Sequence, residues 1–196
     1  MKLLKCQQLL NSNKTNTKDI DIKVAKDFLN YWINQYQLDF DDKIKQFLID
    51  IIQNTALLNS RTVVLQSDLF SLLYVDEICN SNLKDSFYDA LDFTMFRELN
   101  DFLNQTYHFK ELLFELFEKK QITDLQIKDS KILIDEIQQK VLELKNSTDV
   151  ILNNLDFQNQ LNKELVDQFY NHQLDLKIKK LLWYANVLKV VVAFKK

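Results

Sequence analysis

The chain has 196 residues and a formal net charge of −3, and it contains no glycine and no proline. Average usage would give a chain of this length about 14 glycines and about 10 prolines. Tight hairpin turns need residues that accept positive φ, so this composition disfavours sheet-rich folds. It also excludes the glycine-rich phosphate loop, the dinucleotide fingerprint and the nucleophile elbow, together with the enzyme superfamilies built on them.

Several features bear on the compartment. Cys6 and Cys79 lack the paired spacing of a zinc site or a disulfide framework, which favours a reducing compartment. The longest apolar run, Leu181 to Phe194, is too short to span a bilayer. We therefore expect an intracellular protein without a transmembrane span. The cytoplasm is favoured, while the nucleus, the mitochondrial matrix and peripheral contact with a membrane stay open. The abundance of lysine and asparagine, with scarce arginine, indicates an AT-rich genome.

The first 19 residues form a basic, polar N-terminal segment, and helical periodicity begins at Ile20. Apolar residues then recur every three or four positions as far as Leu58, which predicts helix. The helix could run from about residue 21 to 58 or break near residues 39–42, where Asp39 is a candidate cap. We predict a break.

An extended connector is predicted over residues 61–69, with Ser67 or Asp68 capping the helix that follows. Its Arg61-Thr62-Val63 and Asp68-Leu69 resemble the second loop of the histone fold, which joins a long central helix to a short one. The resemblance implies a histone-fold-like segment within residues 20–80. The chain departs from that family because the preceding helical run is long and basic residues that would face DNA are scarce.

Residues 82–120 are predicted to form one or two amphipathic helices, with Thr106-Tyr107 as their joint. A further helix begins near Asp124, after the capping-box pattern formed by Thr123 and Gln126. Residues 146–149 are either a turn between two antiparallel helices or the interior of one rod. The apolar positions of this helix that follow heptad spacing are Ile127, Ile134, Ile137, Val141 and Leu144.

These patterns predict an all-α protein: a multi-helix bundle with a long heptad-bearing C-terminal helix or helical hairpin. Three regions follow from the composition. Residues 1–19 are the basic polar segment, residues 20–120 a helical bundle, and residues 121–196 a long helix or hairpin with an apolar tail bracketed by lysines. Any strand is expected near Thr62 to Leu65 or Val187 to Phe194.

Catalytic and metal-binding patterns are weak. Asp85, Asp89 and Asp92 share one predicted helix face, but a metal site would need converging ligands from another helix. His108 and His172 stand at predicted helix boundaries, and neither has a nucleophile at recognisable spacing. We therefore expect no enzymatic activity, no cofactor and no metal.

The C-terminal segment is the most unusual local feature, because lysines bracket an aromatic and aliphatic core between Lys177 and Lys196. As a helix it would be apolar nearly all round, which predicts burial in its own bundle, insertion into a partner groove or shallow membrane contact. We expect it to bind other protein subunits. The residues predicted to bind a partner are Lys179, Lys180, Trp183, Tyr184, Val187, Leu188, Val191 and Phe194.

The sequence thus favours a non-catalytic assembly or adaptor subunit of a larger intracellular protein complex. The alternative is a nucleic-acid-associated helical protein that uses the histone-like segment or its lysine-rich ends.

Overall fold

A computed structural model describes residues 20–79, 83–158 and 162–194, with side chains for all of these except 147–158. As predicted, the described chain is an all-α, multi-helix protein. Its helices in chain order are α1 (Lys23–Tyr36), α2 (Asp42–Leu58), a 3₁₀ helix (Gln66–Tyr74), α3 (Asp76–Cys79), α4 (Leu83–Met95), α5 (Arg97–Glu118), α6 (Asp124–Gln158) and α7 (Lys163–Phe194). The N-terminal segment 1–19 lies outside the described residues.

Chain contacts divide the protein into two compact units. The first falls within Met1–Met95 and Leu155–Val166, and the second within Phe96–Asn154 and Asp167–Lys196. Each long C-terminal helix therefore contributes residues to both units.

The core of the first unit is built around aromatic side chains of α1 and α4. Trp32 is fully buried and contacts the rings of Phe28, Phe40 and Phe87 at centroid distances of 5.9, 5.7 and 5.3 Å. Its indole Nε1 donates a hydrogen bond of 2.9 Å to the Ser86 hydroxyl, so the one polar atom of the buried ring has a partner.

The predicted break between the first two helices is confirmed. Helix α1 ends at Tyr36 and α2 begins at Asp42. The cap is Asp41 rather than Asp39, because the Asp41 carboxylate accepts a hydrogen bond of 2.7 Å from the Ile44 backbone N–H, three residues ahead. Asp39 lies too early in the chain to reach the N–H groups of the first turn.

The extended connector is present over residues 61–65, where an ion pair stabilises it, but residues 66–69 lie in the 3₁₀ helix and the prediction was wrong there. Asp21 and Val63 form an isolated parallel bridge in the stretch where a strand was expected. The Asp68 carboxylate, fully buried, receives two hydrogen bonds from the Arg61 guanidinium at 2.5 and 2.8 Å. The prediction that Ser67 or Asp68 caps the following helix is wrong, because the residue at the cap position is Leu65. Both lie inside the 3₁₀ helix, where Asp68 accepts a hydrogen bond from the Leu65 N–H just before it.

The joint predicted at Thr106-Tyr107 is wrong. Helix α4 ends at Met95 and α5 begins at Arg97, so the joint lies at Phe96. Thr106 and Tyr107 lie in the interior of α5. Thr106 remains compatible with the helix because its hydroxyl donates to the Phe102 carbonyl at 2.8 Å. A threonine that bonds to the preceding turn in this way needs no break in the backbone.

The second unit is formed by α5 and parts of α6 and α7. Helices α5 and α7 run parallel, since Phe96 contacts Tyr170 near their beginnings and Phe117 contacts Phe194 at their ends. Between these contacts, the Lys177 ammonium donates to the Asn100 side-chain oxygen at 2.7 Å. Residues 119–123 join α5 to α6, a connection short enough for an antiparallel neighbour.

Helix α6 begins with the predicted capping box. The Thr123 N–H donates to the Gln126 side-chain oxygen at 2.9 Å, and the Gln126 N–H donates to the Thr123 hydroxyl at 3.3 Å. The helix is continuous through residues 146–149, so these residues are the interior of one long helix and do not form a turn between two helices. Of the predicted heptad positions, Ile134, Ile137 and Val141 are buried, while Ile127 and Leu144 are half-buried.

Because the chain has no glycine, other residues adopt the left-handed conformation after three of the helices. Gln37, Ser60 and Lys120 adopt left-handed backbone conformations, with φ of 52°, 57° and 55°. Each follows the C-terminal end of a helix, where glycine is the usual residue because it has no Cβ to clash in this conformation.

We expect Lys120→Gly to stabilise the protein by up to about 1 kcal/mol, because glycine adopts the left-handed conformation without the steric penalty. Lys119→Gly is the matched control: Lys119 has φ of −77° in the helical region, so glycine there should be neutral or destabilising. Urea unfolding followed by circular dichroism measures both. Equal effects of the two substitutions would contradict the strain at Lys120.

Candidate protein-docking surface

The structure divides the predicted partner-binding residues between the two sides of α7. Tyr184, Leu188 and Val191 are buried within the second unit, and Val187 is half-buried. Trp183 and Phe194 keep 54 % and 74 % of their surface exposed, and Lys179 and Lys180 are exposed. Spacings of three and four residues place Tyr184, Leu188 and Val191 on one stripe of the helix, so only the other predicted residues are available to a partner.

Aromatic side chains of α7, one buried and one exposed, lie beside aromatic side chains of α5. The rings of Tyr107 and Tyr184 lie 6.2 Å apart, and those of Phe117 and Phe194 lie 6.4 Å apart. Both pairs are separated by the same number of positions along the chain, so the two parallel helices keep one register over this length. Tyr107 and Phe117 remain 41 % and 37 % exposed.

A lysine is enclosed by three rings at the centre of this region. The Lys110 ammonium lies 5.0 Å from the ring centroid of Tyr107, 5.1 Å from that of Trp183 and 5.9 Å from that of Tyr184. It also forms an ion pair with Glu111. Each ring within about 6 Å attracts the cation through its negative face, so Lys110 fixes the Trp183 side chain against α5.

The environment of Tyr184 shows how these groups are packed. Burial raises the pKa of the Tyr184 hydroxyl above its ordinary value of about 10, while the neighbouring Lys110 ammonium acts in the opposite direction. The negative charge of Glu111 adds to the effect of burial. Tyr184 is therefore a neutral packing residue at physiological pH.

We call the side chains along this junction the aromatic ridge, which comprises the partly exposed rings of Tyr107, Phe117, Trp183 and Phe194 and the largely buried Lys110. Four partly exposed aromatic rings on two adjacent helices form an apolar surface of a kind that commonly marks an interaction site. Aromatic side chains held by packing lose little conformational entropy on binding, and tyrosine and tryptophan are enriched at interface hot spots.

The charge of the surrounding surface is positive on α7. No acidic residue follows Asp175, and Lys179, Lys180 and Lys189 are exposed. Lys179 forms an exposed ion pair with Asp175 at 2.5 Å, while both residues remain more than half exposed to solvent. A partner surface with acidic groups around an apolar centre would complement this part of the helix.

The α5 half of the ridge was not anticipated from the sequence. Phe109, Leu113 and Phe117 recur every four residues, yet only Leu113 is buried, and Phe117 is partly exposed. The spacing of Tyr107, Phe114 and Phe117 already indicated an apolar stripe on α5, but the register with α7 that shows which stripe meets Trp183 is a tertiary property.

The other candidate chemistry receives no support from the geometry. No group of three or more histidine, cysteine, aspartate or glutamate residues suited to a metal ion occurs in the described part of the chain. Asp89 instead accepts a hydrogen bond from the Tyr36 hydroxyl at 3.4 Å. His108 and His172 lie within α5 and α7 rather than at helix boundaries, and both are exposed.

In the histone-like segment, acidic residues outnumber basic ones, and its one arginine is engaged within the protein. The guanidinium of Arg61 is held by the buried Asp68 carboxylate, so its charge is neutralised within the protein. Arg61 is thus a poor candidate for a contact with phosphate groups.

Among residues 20–79, 83–158 and 162–194, no helix combines the length and apolar character needed to cross a bilayer. A search of protein families, curated proteins and solved structures found no match to this chain.

Proposed function

We propose that this protein is a non-catalytic assembly or adaptor subunit of a larger intracellular protein complex, and that it binds its partner through the aromatic ridge. The observation that carries the proposal is the exposure of Trp183 and Phe194 beside α5, where Trp183 shares the Lys110 ammonium with Tyr107 and Phe194 contacts Phe117.

The rigidity of the ridge supports this role. Leu181, Tyr184, Leu188 and Val191 anchor the opposite side of α7 in the second unit. A partner would therefore meet a preformed surface, and little of the binding energy would be lost in ordering it. Burial of a tryptophan and two phenylalanines in such a surface typically accounts for several kcal/mol of affinity.

The charges indicate the chemistry of the partner. Exposed Lys179, Lys180 and Lys189 on a helix segment without acids favour a protein surface with an apolar centre and aspartate or glutamate at its margin. These lysines favour encounter with acidic surfaces, while the aromatic rings supply most of the affinity.

The test compares native complexes captured with the full chain and with a ridge variant that carries Trp183→Ser and Phe194→Ser. Both residues are more than half exposed, so the variant should fold normally. At least 95 % of the captured partner should be lost, which corresponds to a decrease in binding free energy on the order of 2 kcal/mol or more. Leu142→Ser is the matched control because Leu142 is a 60 % exposed apolar residue on α6 outside the ridge. Retention of the partner by the ridge variant would refute the proposal.

The nucleic-acid alternative has a separate signature. A protein that neutralises phosphates with lysine binds DNA or RNA with an affinity that falls steeply with salt. Retention on nucleic acid that disappears with Lys179→Glu and Lys180→Glu, but survives in the ridge variant, would favour that alternative. Salt-sensitive binding to anionic liposomes would instead indicate a peripheral membrane role.

A further inference from the structure

A second exposed apolar surface lies on the side of α5 that faces α6. A groove of about 290 Å³ lies between the two helices. Its apolar lining is Phe102, Phe109, Ile132 and Leu133, and its acidic lining is Asp129 and Glu136. We call this feature the acidic groove.

The apolar surface continues beyond the groove along both helices. Leu112 follows Phe109 by three positions on α5 and is 55 % exposed. Leu125 precedes Ile132 by seven positions on α6 and is 66 % exposed, and Ile132 itself is 48 % exposed. These spacings keep each pair on one helix face, so the exposed apolar surface is longer than the groove alone.

Acidic residues dominate the charge around this surface. Glu98 precedes Phe102 by four positions on α5 and is exposed, which adds a third carboxylate to Asp129 and Glu136. On the same face of α6, the exposed Lys128 lies beside Asp129, and Lys140 forms an ion pair with Glu143 at 3.6 Å, so the carboxylates still outnumber the unpaired lysine. The groove therefore presents an apolar centre with an acidic margin.

This is the chemistry that the aromatic ridge requires of its partner. On α7, exposed lysines flank the aromatic rings of the ridge, and the stretch from Lys179 to Phe194 extends about 22 Å at the helical rise of 1.5 Å per residue. The face of α5 from Glu98 to Leu112 extends about 21 Å. The two surfaces are similar in length, each has an apolar centre, and the charges at their margins are opposite in sign.

We propose that the aromatic ridge of one molecule docks in the acidic groove of a second copy of this chain. The inference rests on the proposed function, because it identifies the acidic partner surface of the ridge with the groove. The interface is heterologous, since different surfaces meet, and each added copy leaves one ridge and one groove open. The protein then assembles head to tail.

Two variants that each disable one surface test the proposal. The ridge variant is Trp183→Ser with Phe194→Ser. The groove variant is Ile132→Ser with Glu136→Lys, and both of its sites are exposed, so folding should be retained. Sedimentation velocity at increasing concentration should show species larger than dimers for the unmodified chain, and association at least 30-fold weaker for either variant alone.

An equimolar mixture of the two variants is the decisive sample. The intact ridge of the groove variant should bind the intact groove of the ridge variant, which gives a dimer and nothing larger, with an affinity that weakens as NaCl rises. A monomeric mixture would overturn the proposal, as would a monomeric unmodified chain at about 100 μM or a ridge variant that still self-associates.

The results distinguish a failure of the head-to-tail interface from a failure of the proposed docking function. If the chain does not self-associate but the ridge variant still loses its native partner, the head-to-tail interface is wrong and the docking role of the ridge stands. If the native partner is retained by the ridge variant, the docking role itself is wrong.

Discussion

Replacing Ile137 with aspartate should lower the free energy of unfolding by at least about 4 kcal/mol. Ile137 has no exposed surface and lies between Ile134 and Val141, which are also buried on α6. The substitution removes a fully buried aliphatic side chain and places a carboxylate without a partner in its position. Thermal unfolding followed by circular dichroism should show the second unit losing structure well below the temperature at which the unmodified protein unfolds.

The matched control for this substitution is Leu142→Asp. Leu142 lies five residues further along the same helix and is 60 % exposed, so aspartate there should change stability by less than about 1 kcal/mol. An unchanged melting temperature for Ile137→Asp would mean that the buried face of α6 is misassigned. A large effect at Leu142 would lead to the same conclusion.

Removal of the Asp68 carboxylate should destabilise the first unit by about 3 kcal/mol. Asp68 is fully buried, and Asp68→Ala leaves the Arg61 guanidinium, only 16 % exposed, without its bidentate partner. It also removes the acceptor for the Leu65 N–H at the start of the 3₁₀ helix. Chemical denaturation measures the change.

An exposed ion pair provides the comparison. Lys45 lies 3.8 Å from Asp42, whose side chain is fully exposed, so Lys45→Ala should change stability by no more than about 0.5 kcal/mol. A loss below about 1 kcal/mol for Asp68→Ala would show that the ion pair does not hold the connector between α2 and the 3₁₀ helix.

The sequence was most informative where the determining contacts are local. The capping box of Thr123 and Gln126 was predicted because both partners fall within one helical turn. The break after Tyr36 was predicted from its cluster of aspartates, although Asp41 rather than Asp39 forms the cap. The joint at Thr106 failed for a local reason as well, because a hydroxyl that bonds to the preceding turn makes threonine acceptable inside a helix.

The candidate docking surface was only half predictable. Trp183 and Phe194 were identified from the surplus of apolar residues in the tail. The sequence did not show that Tyr184 and Leu188 pack inwards, or that Tyr107 and Phe117 complete the surface. Both facts depend on the parallel register of α5 and α7, which is set by contacts between residues far apart in the chain.

The acidic groove was missed for the same reason. Its lining residues come from two helices that meet side by side, and neither stripe is unusual when α5 or α6 is considered alone. The helical periodicity places Ile132 and Glu136 on one face, but only the packing of α6 beside α5 joins that face to Phe102 and Phe109.

The emission of Trp183 within the native complex tests the docking role of the aromatic ridge most directly. Trp32 is fully buried in the first unit, so Trp32→Phe leaves Trp183, which is 54 % exposed, as the only tryptophan of the chain. The signal can be separated from that of the partners by incorporating 7-azatryptophan, which absorbs at longer wavelength than tryptophan, into this chain alone. We predict emission at long wavelength for the dilute isolated chain and a clear blue shift in the purified complex, because docking removes water from the indole. The same emission in both states would show that the ridge stays in contact with solvent and would contradict its role as the docking surface.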